Sequence, residues 1–197
     1  MTSTPMQKAG KDRPKGWNRP ARLLHWTSAI LILAMVAFGI YIDEYVSDVY
    51  EQLELIQLHK SWGFVAFVLG VLRVAWRLAT PTPTLPPEMP TWQRAASHAT
   101  HVLLYVLILL LPLSGWLLAS ASDAQELFGV RNEVFGLFAL PDPFQPGSDA
   151  LSGFFGFVHN FSANLLLAIV AVHALAALKH HFVDRDNVLI RMIRRVD

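Results

Sequence analysis

Gly153-Phe-Phe-Gly-Phe-Val-His159-Asn-Phe-Ser-Ala-Asn-Leu-Leu-Leu-Ala-Ile-Val-Ala-Val-His173-Ala-Leu-Ala-Ala-Leu178 is apolar throughout except for two histidines and three short polar side chains. A helix crosses a hydrocarbon core in about 20 residues at about 1.5 Å per residue, so this run predicts a membrane span over 153–178. His159 and His173 are 14 residues apart, about 21 Å along a helix and about 40° short of four full turns. They project from one face at two depths. Two stacked cofactors need that arrangement, whereas the ligands of a single metal converge within a few ångströms of one atom.

Three further runs read the same way, over about 23–42, 56–78 and 98–120. Of the 197 residues 53% are hydrophobic and only 16% charged, too apolar for an ordinary soluble domain of this length. The basic stretch before the first run resembles the start of a secretory signal. The run is long for that, however, and Tyr41-Ile-Asp-Glu-Tyr45 follows in place of small residues, so a retained span is expected. The predicted fold is an all-α integral membrane four-helix bundle. A basic arm over 1–22 precedes the helical domain of 23–178, and a charged tail over 179–197 follows it.

Cysteine is absent, which excludes disulfides, thiolate-bound iron–sulfur clusters and covalent haem attachment through C-x-x-C-H. The net charge of +1 gives no reason to expect a nucleic-acid partner. The distribution of charge is more informative. Lys and Arg number six in the 1–22 arm, three in the 73–97 connection and five in the tail, fourteen of the 16 in the chain. The opposite segments carry ten acids and only Lys60 and Arg131. Cytoplasmic segments accumulate Lys and Arg, so both termini are expected to be cytoplasmic.

Ionisable side chains at membrane depth are costly and point to function. His59 opens the second run on the outer side, at the depth of His159; His25 opens the first on the inner side, at the depth of His173. His101, on a face with His98 and Tyr105, lies at inner depth too, and spacing alone leaves it in competition with His25. His98 and His101 otherwise suit a quinone contact or a proton path, or plain interfacial anchors. His180 and His181 suit propionate contacts or a surface role. His59, Gly63, Ala66, Gly70 and Arg73 form one helical stripe, as do His25, Ser28, Ala29, Val36 and Gly39. Such faces leave room for a planar macrocycle, or let helices pack closely. Arg73 is placed to pair with an inner propionate, although the positive-inside rule alone would also put an arginine there. Lys60 is placed to meet an outer propionate or an anionic donor, or simply to snorkel.

The residues also resemble the prokaryotic cytochrome b561 family. The resemblance is carried by Arg22-Leu-Leu-His25-Trp26, Leu58-His59-Lys60-Ser61-Trp62-Gly63 and Arg73-Val-Ala-Trp-Arg77. It continues through Pro81-Thr-Pro, His98-Ala-Thr-His101-Val-Leu-Leu-Tyr105, Pro112-Leu-Ser-Gly115-Trp116, His173-Ala-Leu-Ala-Ala-Leu-Lys-His180-His181-Phe182 and Asp186-Asn-Val-Leu-Ile-Arg191-Met192. It implies a bacterial inner-membrane protein with two haem b groups, ligated by His25 with His173 and by His59 with His159. That choice decides against His101. The family implies exchange with ubiquinone and, for some members, superoxide as outer donor.

Imidazole on both sides of the iron leaves no open position, which favours electron transfer over oxygen binding. The expected function is therefore electron transfer from an outer donor to a quinone. Alternatives are a relay subunit for a partner dehydrogenase or hydrogenase, and a haem-free protein moving protons or metal ions. The basic arm and the connection of about 121–152 exceed what the shortest members carry, and they leave the donor open.

Overall fold

The computed structural model describes residues 14–195; Lys8, Lys11, Asp12 and Arg13 of the basic arm lie outside them. Four long helices dominate: α1 (Arg19–Tyr45), α2 (Val49–Ala79), α3 (Thr91–Ala121) and α5 (Asp149–Phe182). All four are long and apolar enough to cross a membrane. Between α3 and α5 lie the short α4 (Ala124–Phe128) and a hairpin of β1 (Glu133–Val134) and β2 (Phe138–Ala139), and a short α6 (Val188–Ile193) ends the chain. Among the described residues the protein is all-α apart from that hairpin.

α1 and α2 begin ahead of their apolar blocks, where side chains cap their first turns. Asn18 Oδ1 accepts the Ala21 N–H at 3.0 Å to start α1, with Pro20 in the first turn. Asp48 does the same for Glu51 at 2.9 Å and starts α2 well before its apolar block. Pro112 stands within α3 and frees the carbonyl of Ile108. At that point α2 comes closest: a Cβ on Gly70 would lie 3.5 Å from this oxygen and 3.2 Å from Leu109 Cδ2. Ala66, also on the α2 stripe, is buried in the core. For these two residues the small side chains serve helix–helix packing rather than a cofactor.

The core is a mid-depth layer to which all four helices contribute, with Ile32, Val36, Ala66, Leu107, Ile108, Leu111 and Leu166. Large apolar side chains point outward instead, Leu23, Ile30, Phe157 and Leu175 each being about two-thirds exposed. That inversion suits lipid as solvent. Five serines (28, 61, 114, 120 and 162) are buried, and Ser28, Ser61 and Ser114 donate to carbonyls of their own helices at 2.6–2.9 Å.

α5 packs along α3, whereas its backbone stands further from α1 and α2. The histidines face that wider gap. Leu166 lies seven residues from each of His159 and His173 and is 1% exposed, so the mid-depth layer separates two histidine levels. One level is at the end capped by the 121–148 segment, the other at the end where residues 14 and 195 lie.

Candidate functional site

At the cap end, the His59 and His159 ring centroids are 6.4 Å apart with planes at 76°. Each ring rests against a glycine of a neighbouring helix. A Cβ on Gly39 would lie 3.3 Å from His59 Cε1, and one on Gly115 only 2.9 Å from His159 Cε1. Side chains at these positions would occupy the rings' space. His159 Nδ1 is 3.0 Å from the Leu111 carbonyl and 3.3 Å from Ser114 Oγ. Donation from Nδ1 to that carbonyl places the lone pair on Nε2, the state of a metal-ligating imidazole. His59 Nδ1 is buried with no partner, and Gly63, one turn along α2, has no atom within 4 Å of an added Cβ.

At the other end, His25 of α1 and His173 of α5 have centroids 6.3 Å apart with planes at 52°. Arg73 of α2 reaches into this cluster. Its guanidinium donates to Ser28 Oγ at 3.0 Å, approaches His25 Nδ1 at 2.7 Å and lies 5.6 Å from the centroid of the Tyr105 ring. Arginine has no acceptor, so the 2.7 Å contact makes His25 Nδ1 the acceptor. A neutral imidazole in that tautomer carries its hydrogen on Nε2. Metal binding through Nε2 and acceptance from Arg73 are therefore mutually exclusive for neutral His25.

Two imidazoles that bind one iron from opposite sides have centroids roughly 6 Å apart, given metal–nitrogen bonds of about 2.0 Å and the size of the ring. Both pairs meet that separation. His101 differs: its centroid is 5.2 Å from that of His173, edge to face, and its Nδ1 is 2.6 Å from the Ser97 carbonyl. That approach is about an ångström too close for an iron between them. His98, one turn earlier on α3, is exposed and outside the cluster.

Lys60 turns away from the bundle. Its Nζ meets Asn132 Oδ1 at 2.8 Å and the Arg131 carbonyl at 3.5 Å, both in the cap. At the opposite end His180 Nδ1 is 2.6 Å from Asp186 and 3.2 Å from Asp184, a grouping with the ligand types for a metal ion. Lys179 already pairs with Asp184 at 2.7 Å, and Asp186 accepts the Val188 N–H at 2.9 Å where α6 begins. These bonds make the group a tie between α5 and α6. The residues that sequence reasoning missed are Gly115 as the seat of His159, the Leu111 carbonyl as its acceptor, and the cap's hold on Lys60. The Pro112-Leu-Ser-Gly115 phrase held the first signal, but nothing in it names the ring on α5.

Residues 16–195 match the family described as prokaryotic cytochrome b561. The chain is similar to cytochrome b561 homolog 2 of Escherichia coli (strain K12), 32% identical over 182 residues covering 91% of this chain and 92% of that protein. It is 27% identical over 172 residues to cytochrome b561 homolog 1 of the same strain, covering 87% and 93%. To the probable superoxide oxidase CybB of Yersinia pestis it is 29% identical over 171 residues, covering 86% and 91%. With four helices fit to span a membrane and a match over nearly the whole chain, the protein belongs to the prokaryotic cytochrome b561 family, multi-pass electron-transfer proteins of the bacterial inner membrane.

Proposed function

We propose that the protein carries electrons across the membrane through two b-type haems, one held between His59 and His159 and the other between His25 and His173. The observation that supports this reading is the pair of matched ring separations, 6.4 and 6.3 Å, at two levels of one bundle. When bound, haem would supply a one-electron couple. The chain's own residues do the rest. Leu111 and Ser114 hold His159 in its ligating tautomer, Gly39 and Gly115 leave room for the rings, and the mid-depth layer excludes water between the levels.

With haem held by His25 Nε2, the His25 hydrogen would sit on Nδ1, and Arg73, without that contact, would be placed to pair with a propionate. His101 stays a non-ligand beside His173, placed with His98 toward a quinone or proton path. The basic ends of the bundle face the cytoplasm, by the charge asymmetry of the loops. Electrons then run from a periplasmic donor at the capped end to the ubiquinone pool.

The donor divides two readings. The CybB relative suggests superoxide, which a cation near the outer centre would attract. Lys60 is held by neutral acceptors, Asn132 Oδ1 and the Arg131 carbonyl, which leave its charge in place; the other reading is a relay for a partner redox protein. Purified protein in quinone-containing vesicles, supplied with enzymatically generated superoxide, separates them. Quinone reduction above the protein-free rate supports an oxidoreductase that acts alone. No reduction without a co-purifying subunit, and reduction with it, supports the relay.

A further inference from the structure

Val134-Phe-Gly-Leu-Phe-Ala-Leu140, the tip of the cap hairpin, contains no polar side chain. It lies beside α2 rather than above the bundle. The Phe135 ring packs edge-on against Trp62 at 5.4 Å and the Phe138 ring against Phe64 at 5.7 Å. Both partners belong to the 61–72 stretch of α2, which is free of charged residues. On the neighbouring helix, Trp116 Nε1 donates to the Pro141 carbonyl at 3.0 Å. The hairpin thus descends to the level of Trp62 and Trp116, tryptophans of the kind that mark a membrane–water boundary.

Non-helical backbone at such depth requires internal partners for its polar groups, and α2 and the hairpin itself supply several. Phe135 N donates to Ser61 Oγ at 2.9 Å, Leu137 N to the Val134 carbonyl at 2.9 Å and Leu140 N to the Asn132 carbonyl at 2.7 Å. Gln57 Nε2 donates to the Glu133 carbonyl at 3.0 Å. The turn itself has φ of 50° at Phe135 and 68° at Gly136. The first of these positions is one that glycine, asparagine or aspartate ordinarily fills. Polar turn residues would suit a tip in water, yet phenylalanine stands there despite the steric cost.

The outward side of the tip remains apolar, with Phe135 44%, Leu137 79% and Phe138 47% exposed. We propose that this hairpin dips into the membrane, with Leu137 and Phe138 inserted among the acyl chains of the capped-side leaflet. The occupant is lipid because the exposed face continues the lipid-facing side of α2 at Trp62. The same hairpin binds Ser61, and the cap segment just before it binds Lys60, the two residues that follow His59, so the lipid anchor steadies the turn that presents that histidine.

The chain contains no cysteine, so Leu137→Cys gives a single site for a nitroxide label. The protein is reconstituted in phosphatidylcholine–phosphatidylglycerol vesicles, and the label's collisions with oxygen, which concentrates in lipid, are compared with those of a water-soluble nickel chelate. References are labels at Val68, 40% exposed within the apolar stretch of α2, and at Tyr50, 73% exposed near its start. The expected oxygen-to-nickel ratio at residue 137 is several-fold above that at residue 50 and on the side of residue 68. A ratio like that of residue 50 overturns the proposal. So does shielding from both reagents, which would mean that protein covers the tip. Phe138→Cys repeats the measurement should the first variant fail to insert. None of these outcomes depends on haem, so the proposal fails or stands apart from the electron-transfer reading.

Discussion

A Cβ atom on Gly115 would sit 2.9 Å from Cε1 of His159, and one on Gly39 would sit 3.3 Å from Cε1 of His59. The first distance forces the ring to move; the second asks it to give by a few tenths of an ångström. Overpacking of this kind costs about 1–3 kcal/mol, here applied directly to a proposed ligand. Gly115→Ala is therefore expected to lower haem content toward one per chain, with the terminus-end haem retained, while Gly39→Ala has the smaller effect. Haem-to-protein ratios and difference spectra of the two variants check this order. The levels of the histidines were legible from the sequence, through spacing of 14 on one span and loop polarity, whereas the choice of His25 over His101 came from the family resemblance. The seats of the rings were not legible, since each glycine acts on a ring carried by a different helix. Gly39 illustrates this: it shares a face of α1 with His25, yet its contact is His59.

The cap shows what apolar patterning leaves out at the scale of elements. Its sequence read as a long connection, with no strand alternation and no Asn-Gly or Asp-Gly turn, because the hairpin is short and α2 organises it. Ser61 is the central anchor, accepting the Phe135 N–H while its own hydroxyl donates to the Gln57 carbonyl at 2.9 Å. Ser61→Ala leaves that part-buried N–H without a partner, a loss of about 1 kcal/mol, borne by the hairpin rather than by the span. Faster proteolytic nicking between residues 121 and 148 is expected, with the helical content of the bundle unchanged; nicking at the wild-type rate would contradict the anchor. The α2 stripe was legible as a stripe but divided in use. Ala66 and Gly70 serve packing beneath Pro112 on α3, whereas Gly63 lies open beside His59.

For the whole molecule, four spans and the concentration of fourteen of 16 basic residues at one end were open to reading from composition and order alone. The proposed orientation, with both termini cytoplasmic, rests on the same asymmetry through the positive-inside rule. A C-terminal fusion to green fluorescent protein is expected to fluoresce and one to alkaline phosphatase to be inactive; the reverse pattern would invert the direction of electron flow. The pairing of spans was less legible. α5 lies along α3, yet its histidines meet rings from α1 and α2 across the wider gap, and only the assembled bundle brings His25 to His173 and His59 to His159. Haem content tests those pairs most directly. Purified wild-type protein should contain two b-type haems per chain, and His159→Ala and His173→Ala should each retain one, with different components of the reduced-minus-oxidised spectrum lost. A haem-free wild-type chain, or two haems in both variants, would contradict the account.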